Sequence, residues 1–92
     1  MDNPEVDRFG NQIWYNEDGK LHRTDGPAII SANGHQYWYQ HDNLYREDGP
    51  AQIWPRGDVD WWLNGNMYTF EDWLDIVNIS DESKVMLKLK YG

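Results

Sequence analysis

Glycine-bearing turns punctuate this chain at short, recurring intervals, and the stretches between them are rich in rings and β-branched residues. Asn33-Gly34 and Arg56-Gly57 supply residues that tolerate positive φ, as tight hairpin turns require, and Asp18-Gly19 and Asn64-Gly65 do the same at the opposite ends. Between them, Gln36-Tyr37-Trp38-Tyr39 and Asp58-Val59-Asp60-Trp61-Trp62 suit a pleated surface and predict short strands. Asp25-Gly26-Pro27 and Asp48-Gly49-Pro50 mark a third kind of turn, in which proline lacks a ladder donor and belongs at the first position of the strand that follows. An antiparallel meander follows. Side chains alternate across a strand, so Trp38 and its neighbours Tyr37 and Tyr39 face opposite sides and both faces carry rings. One face can be core; the other needs the C-terminal segment, a second copy or a partner to cover it.

The pattern repeats. Displaced by 23 residues, Leu21-His22-Arg23-Thr24-Asp25-Gly26-Pro27-Ala28-Ile29-Ile30 falls on Leu44-Tyr45-Arg46-Glu47-Asp48-Gly49-Pro50-Ala51-Gln52-Ile53, with identity at Leu, Arg, Asp, Gly, Pro, Ala and the last Ile. Gly34, Tyr37, Trp38 and Tyr39 fall on Gly57, Asp60, Trp61 and Trp62, and Leu44-Tyr45 falls on Met67-Tyr68, where the pattern stops. Gly10 with Trp14-Tyr15 forms an earlier partial copy at a spacing of 24, because Asn16-Glu17-Asp18-Gly19-Lys20 is one residue longer than Gln40-His41-Asp42-Asn43. Trp38 and Trp61 should therefore hold equivalent positions, with Trp14 close to equivalent.

After Tyr68 the period changes. Thr69-Phe70-Glu71-Asp72 reads as a helix start with a hydroxyl cap and early carboxylates, and Phe70, Trp73, Leu74 and Val77 recur at helical spacing. Ser80-Asp81-Glu82-Ser83 reads as a second start. In residues 84–91, Val85, Leu87, Leu89 and Tyr91 alternate as in a strand, but acids in front and lysines behind suit a helix dipole, and helix is the preferred reading. The expectation is a mainly β fold, an antiparallel meander of repeated hairpins with a period of about 23, in one domain over residues 1–92. Residues 10–69 form the repeats and 70–92 a short helical cap.

Composition narrows the class. Six Trp, six Tyr and two Phe outweigh a sparse aliphatic set, so the core must be built largely from rings. With no cysteine there is neither a disulfide framework nor a thiolate metal site, which fits a reducing cytoplasm. Met1-Asp2-Asn3-Pro4-Glu5 lacks the basic then apolar order of a leader, and no apolar run has the length of a membrane span, so a cytoplasmic location and no membrane partner are expected. The formal charge of −8 is uneven: Lys84, Lys88 and Lys90 stand near the end, leaving residues 1–83 with sixteen acids against five bases, near −11. Such a body repels phosphate, and direct nucleic-acid binding is not expected.

Leu21-His22-Arg23-x-Asp25-Gly26-Pro27-Ala28 and Leu44-Tyr45-Arg46-x-Asp48-Gly49-Pro50-Ala51 resemble the tandem "LHREDGPA" hairpin repeats of small tailed-bacteriophage proteins, which are distantly similar to membrane occupation and recognition nexus (MORN) hairpins. The likeness covers about residues 10 to 70 and departs at Thr24, where the repeat usually has an acid, and at Gln52, where it usually has an aliphatic residue. It implies a scaffold and carries over no active site. Trp14-Tyr15-x-x-x-Gly19 also resembles the choline-binding repeats of cell-wall proteins, but no Gly-Trp dipeptide follows Leu21, Leu44 or Met67.

Little in the chain points to catalysis. His22, His35 and His41 are the only histidines, and Tyr45 and Asp58 replace the first two in the next unit; a metal needs three or four converging ligands, so surface positions at strand ends are expected. Neither a Gly-rich phosphate loop nor a Gly-x-Ser-x-Gly elbow is present. Asp58 and Asp60 share a strand face and could pair as acid and base, but in so acidic a chain a solvated face is the better reading. Arg23 and Arg46 each precede an Asp by two residues; bonding to that carboxylate while stacking on a Trp is the structural expectation, and partner contact the functional one.

The function these features imply is a non-enzymatic protein-binding module needing no cofactor. By its phage likeness it would be a phage-encoded inhibitor or modulator of a host protein in the host cytoplasm, such as a defence or nucleic-acid-handling protein with a basic surface. The partner-binding candidates are the rings Tyr39, Trp54 and Trp62, the turn acids Asp25, Asp42 and Asp48, and Arg23 with Arg46. The alternatives are a structural or self-assembling phage component, hence a homo-oligomer, and a glycan or small-ligand binder using the aromatic face.

Overall fold

The computed structural model describes residues 3–92; Met1 and Asp2, part of the segment read as lacking leader character, lie outside the described residues. The chain folds mainly as antiparallel sheet with a helical C-terminus. Strands β1 (Glu5–Val6), β2 (Gln12–Ile13), β3 (Ile29–Ile30), β4 (Gln36–Tyr37), β7 (Gln52–Ile53), β8 (Val59–Leu63) and β9 (Asn66–Tyr68) form one seven-stranded sheet in the order β1-β2-β3-β4-β7-β8-β9. Between β4 and β7, strands β5 (Tyr39–Gln40) and β6 (Asn43–Leu44) form a separate two-stranded hairpin. Two helices follow, α1 (Phe70–Ile76) and α2 (Asp81–Tyr91).

Two turn designs join the strands. Asp7–Asn11, Ser31–His35 and Trp54–Asp58 each close with the first residue's N–H donating to the fifth residue's carbonyl, and Gly10, Gly34 and Gly57 take φ values of +88°, +99° and +98°. These are five-residue loops with glycine in the left-handed position, wider than the two-residue turns that Asn33-Gly34 and Arg56-Gly57 suggest in isolation. At the other ends of the hairpins, Asn64-Gly65 makes a two-residue turn with both φ positive. So does His41-Asp42, with φ of 51° and 67° and no glycine at all. The turn is held from outside: the Leu21 amide donates to Asp42 Oδ1 (2.6 Å), and the His41 amide donates to His22 Nδ1 (3.2 Å).

The stretch 36–40 is not one strand. At Trp38 the ladder changes partners: its amide donates to the Ala51 carbonyl (2.7 Å) while its own carbonyl accepts from Tyr45 (3.1 Å). The backbone thereby leaves the large sheet and enters the β5–β6 hairpin. In β8 the corresponding aromatic stretch stays continuous, pairing Trp61 with Tyr68 and Trp62 with Met67.

Thr69 and Ser80 cap the two helices, their hydroxyls accepting from the amides of Asp72 and Ser83 (3.1 Å each). The charge order decides residues 84–91 in favour of helix: Asp81 and Glu82 sit in the first turn of α2, Lys88 and Lys90 in the last. The main core lies where the helices meet the sheet and comprises Trp61, Leu63, Trp73, Leu74 and Val77. Trp61 is ringed by aromatics, with ring centres 4.7 Å from Phe70, 4.6 Å from Trp73 and 5.1 Å from Tyr91. Phe70, Trp73, Leu74 and Val77 thus pack on the sheet as their spacing predicts. No helix among the described residues is long and apolar enough to cross a membrane.

Candidate interaction surface

Arg23 and Arg46 organise the face on which Trp14 and Trp38 lie. The Arg23 guanidinium carbon stands 3.9 Å from the centre of the Trp14 ring, its Nε donates to Asp25 Oδ1 (2.9 Å) and its Nη1 donates to the Pro27 carbonyl (3.1 Å). Arg46 makes the same three contacts with Trp38 (3.9 Å), Asp48 Oδ1 (2.7 Å) and the Pro50 carbonyl (2.9 Å). A planar guanidinium can stack and donate sideways at once, which an ammonium cannot. Glycine makes room for it: a Cβ on Gly26 would stand 3.0 Å from the Arg23 guanidinium carbon, and one on Gly49 only 2.7 Å from that of Arg46. The Asp-Gly-Pro turn therefore supplies an acceptor, open room and a carbonyl to the arginine that precedes it. Sequence reasoning anticipated the carboxylate and the ring but missed the room left by glycine and the proline carbonyl.

The carboxylates that hold the arginines also face solvent. Asp25 and Asp48 remain 83 % and 81 % exposed although each holds an arginine that is itself largely covered. They rim two open grooves. One, of about 650 Å³, runs between Trp14, Tyr15, Glu17, Arg23 and Asp25. The other, of about 510 Å³, lies between the two arginine turns and is bounded by Asp25, Trp38, Tyr45, Glu47 and Asp48. Burial and its contact with Glu47 push the Tyr45 hydroxyl up to about 12, so this side chain keeps its proton well into alkaline solution.

The remaining candidates do not converge on these grooves. Asp42 sits in the tight turn, its carboxylate committed to the Leu21 amide. Trp54 opens the Trp54–Asp58 loop beside His35 (ring centres 5.5 Å apart), and His35 stacks on Tyr37 (5.9 Å). Trp62 stands at the opposite end of β8 from that loop, its alternation placing it on the other face from Trp61. Trp62, Tyr39 and Trp54 are all half-buried, and Trp62 Nε1 is buried without a hydrogen-bond partner among the described residues. Burial raises the Tyr39 hydroxyl as well. The site residues thus separate into an arginine–carboxylate row and scattered rings.

His22 lines the first groove with its ring centre 4.6 Å from that of His41, and His35 stands beside Trp54. Among the described residues no three metal-ligating side chains converge. Asp58 is paired with Arg56 (3.1 Å) on the surface, and Asp60 lies in β8 opposite Gln52. Neither arrangement aligns an acid with a base across a cleft. No protein-family model, no curated protein and no solved structure matches the chain.

Proposed function

We propose that the chain is a tandem array of 23-residue hairpin units that binds another protein, without catalysis, through the acid-rimmed face carrying the two arginine turns. The repeat reading rests on recurrence: β3 and β7 begin 23 residues apart, as do β4 and β8, and β6 and β9. The single observation that carries the binding reading is the division of labour between Arg and Asp. Each guanidinium stacks on Trp14 or Trp38 and pairs with one carboxylate oxygen and a proline carbonyl, whereas Asp25 and Asp48 keep most of their side chains in solvent beside open grooves. The exposed edges of these carboxylates and the neighbouring Glu47 give that face an acidic rim, and a complementary partner is a basic protein surface.

The likeness to phage hairpin repeats makes a host protein in the host cytoplasm the partner, and inhibition of a defence or nucleic-acid-handling protein the outcome. Pull-down from infected cells identifies the partner. Its association rate should then fall as salt rises from low to physiological, and fall again when Asp25 and Asp48 are changed to Asn. A rate flat in salt and indifferent to those changes would exclude electrostatic recognition and leave the ring-driven interface.

A further inference from the structure

Helix α2 is amphipathic on two sides. Leu87 and Tyr91, with Lys84 half-buried beside them, turn toward the core built on Trp61. Glu82, Val85, Met86 and Leu89 recur at i, i+3, i+4 and i+7 and so form a second stripe on the side away from that core. This stripe is open: Val85 is 54 % exposed, Met86 62 % and Leu89 79 %. Single exposed apolar residues need no explanation, but three neighbours on one face of an eleven-residue helix form a seam.

The charges around the seam specify what fits it. Asp81 and Glu82 occupy the first turn, Lys88 and Lys90 the last, and the apolar residues lie between. A helix with that polarity complements itself when reversed: in an antiparallel pair the acidic end of each helix meets the basic end of the other, the apolar middles meet, and the two helix dipoles oppose. The parallel arrangement would set acid on acid and lysine on lysine. We propose that α2 is a dimerisation element that packs antiparallel on α2 of a second copy, leaving the groove face of each copy free. The seam is only about three turns long, so the interface belongs to the small end of specific contacts, with a dissociation constant on the order of 10 μM.

Sedimentation equilibrium of the full chain from about 1 μM to about 1 mM should show a transition from 11.0 kDa to twice that mass. The double change Val85→Glu with Leu89→Glu replaces only exposed side chains and should raise the dissociation constant at least ~100-fold. Charge reversal gives the sharper test. Asp81→Lys with Glu82→Lys, and Lys88→Glu with Lys90→Glu, should each weaken self-association, whereas an equimolar mixture of the two variants should form a heterodimer, with far-ultraviolet dichroism checking that each is folded. A wild-type chain monomeric throughout the range, a dimer that survives the double glutamate change, or folded charge variants that do not associate when mixed would each overturn the proposal.

Discussion

The Arg46 guanidinium carbon lies 3.9 Å from the centre of the Trp38 ring, and the missing side chain of Gly49 leaves it room there. A Cβ on Gly49 would stand 2.7 Å from that carbon, so the arrangement has no space for another carbon. Changing Arg46 to Ala should cost about 2–3 kcal/mol, through lost stacking, lost bonds and lost packing of the aliphatic stem. Arg46→Lys should recover part of this, remaining about 1 kcal/mol below wild type because an ammonium cannot stack and reach two acceptors together. Urea denaturation followed by tryptophan fluorescence measures both.

The two glycines should differ. An alanine at position 49 would bring its Cβ to 2.7 Å from the Arg46 guanidinium, and one at position 26 to 3.0 Å from that of Arg23. Gly49→Ala should therefore destabilise by about 1–3 kcal/mol and Gly26→Ala by less. Negligible losses at both positions in denaturant titrations would show that the arginines swing clear of the turns at no cost.

In the tail, Trp73 is fully buried and its indole N–H donates to the Arg46 carbonyl (3.2 Å). Trp73→Phe should cost about 2–4 kcal/mol, combining a cavity with an unpaired carbonyl. Deleting residues 70–92 should uncover Trp61 and Leu63 and lead to unfolding or aggregation. A truncated chain that remains monomeric with unchanged Tm would show that the sheet stands without its cap.

The His41-Asp42 turn separates backbone strain from hydrogen bonding. Asp42→Gly relieves φ = 67° but loses the bond from the Leu21 amide, whereas Asp42→Ala loses the bond and keeps the strain. Alanine should therefore be worse than glycine by about 1–2 kcal/mol, read as a difference in chemical denaturation midpoints.

Alkaline solution should weaken the fold through Tyr45. Its hydroxyl is raised from 10.0 to about 12 by burial first and by Glu47 second, so the folded chain holds the proton more tightly than the unfolded one. The resulting stability is complete below pH 10 and is lost as pH climbs toward about 12. Tyr45→Phe cannot ionise, and its stability relative to wild type should improve across that window in thermal melts at fixed ionic strength.

Local signals in the sequence were strong where geometry is local. Thr69 and Ser80 announced their helices, and Asn64-Gly65 its tight turn, because caps and positive φ depend on a few adjacent residues. His41-Asp42 was opaque for the converse reason: its support comes from Leu21 and His22, some twenty residues away. The arginine turns were half legible, since Arg-x-Asp is a local motif while the ring beneath each arginine lies outside it, just after β2 or β4. Trp54 and Trp62 seemed alike as exposed aromatics, yet the length of β8 sets them at opposite ends of a hairpin. The outward seam of α2 was hidden by the alternation of Val85, Leu87 and Leu89, in which residues on opposite sides of the helix look like one strand face.

The closeness of Trp61 and Trp73 gives the molecule an optical property of its own. Two indoles with ring centres 4.6 Å apart and planes inclined by 47° are close enough for their transitions to couple, and any skew between those transitions makes the coupling visible in circular dichroism. One chromophore belongs to the sheet and the other to α1, so the resulting dichroic couplet exists only while the two remain docked. The remaining tryptophans report on the hairpins, and comparing the two signals during mild denaturation would distinguish release of the tail from global melting.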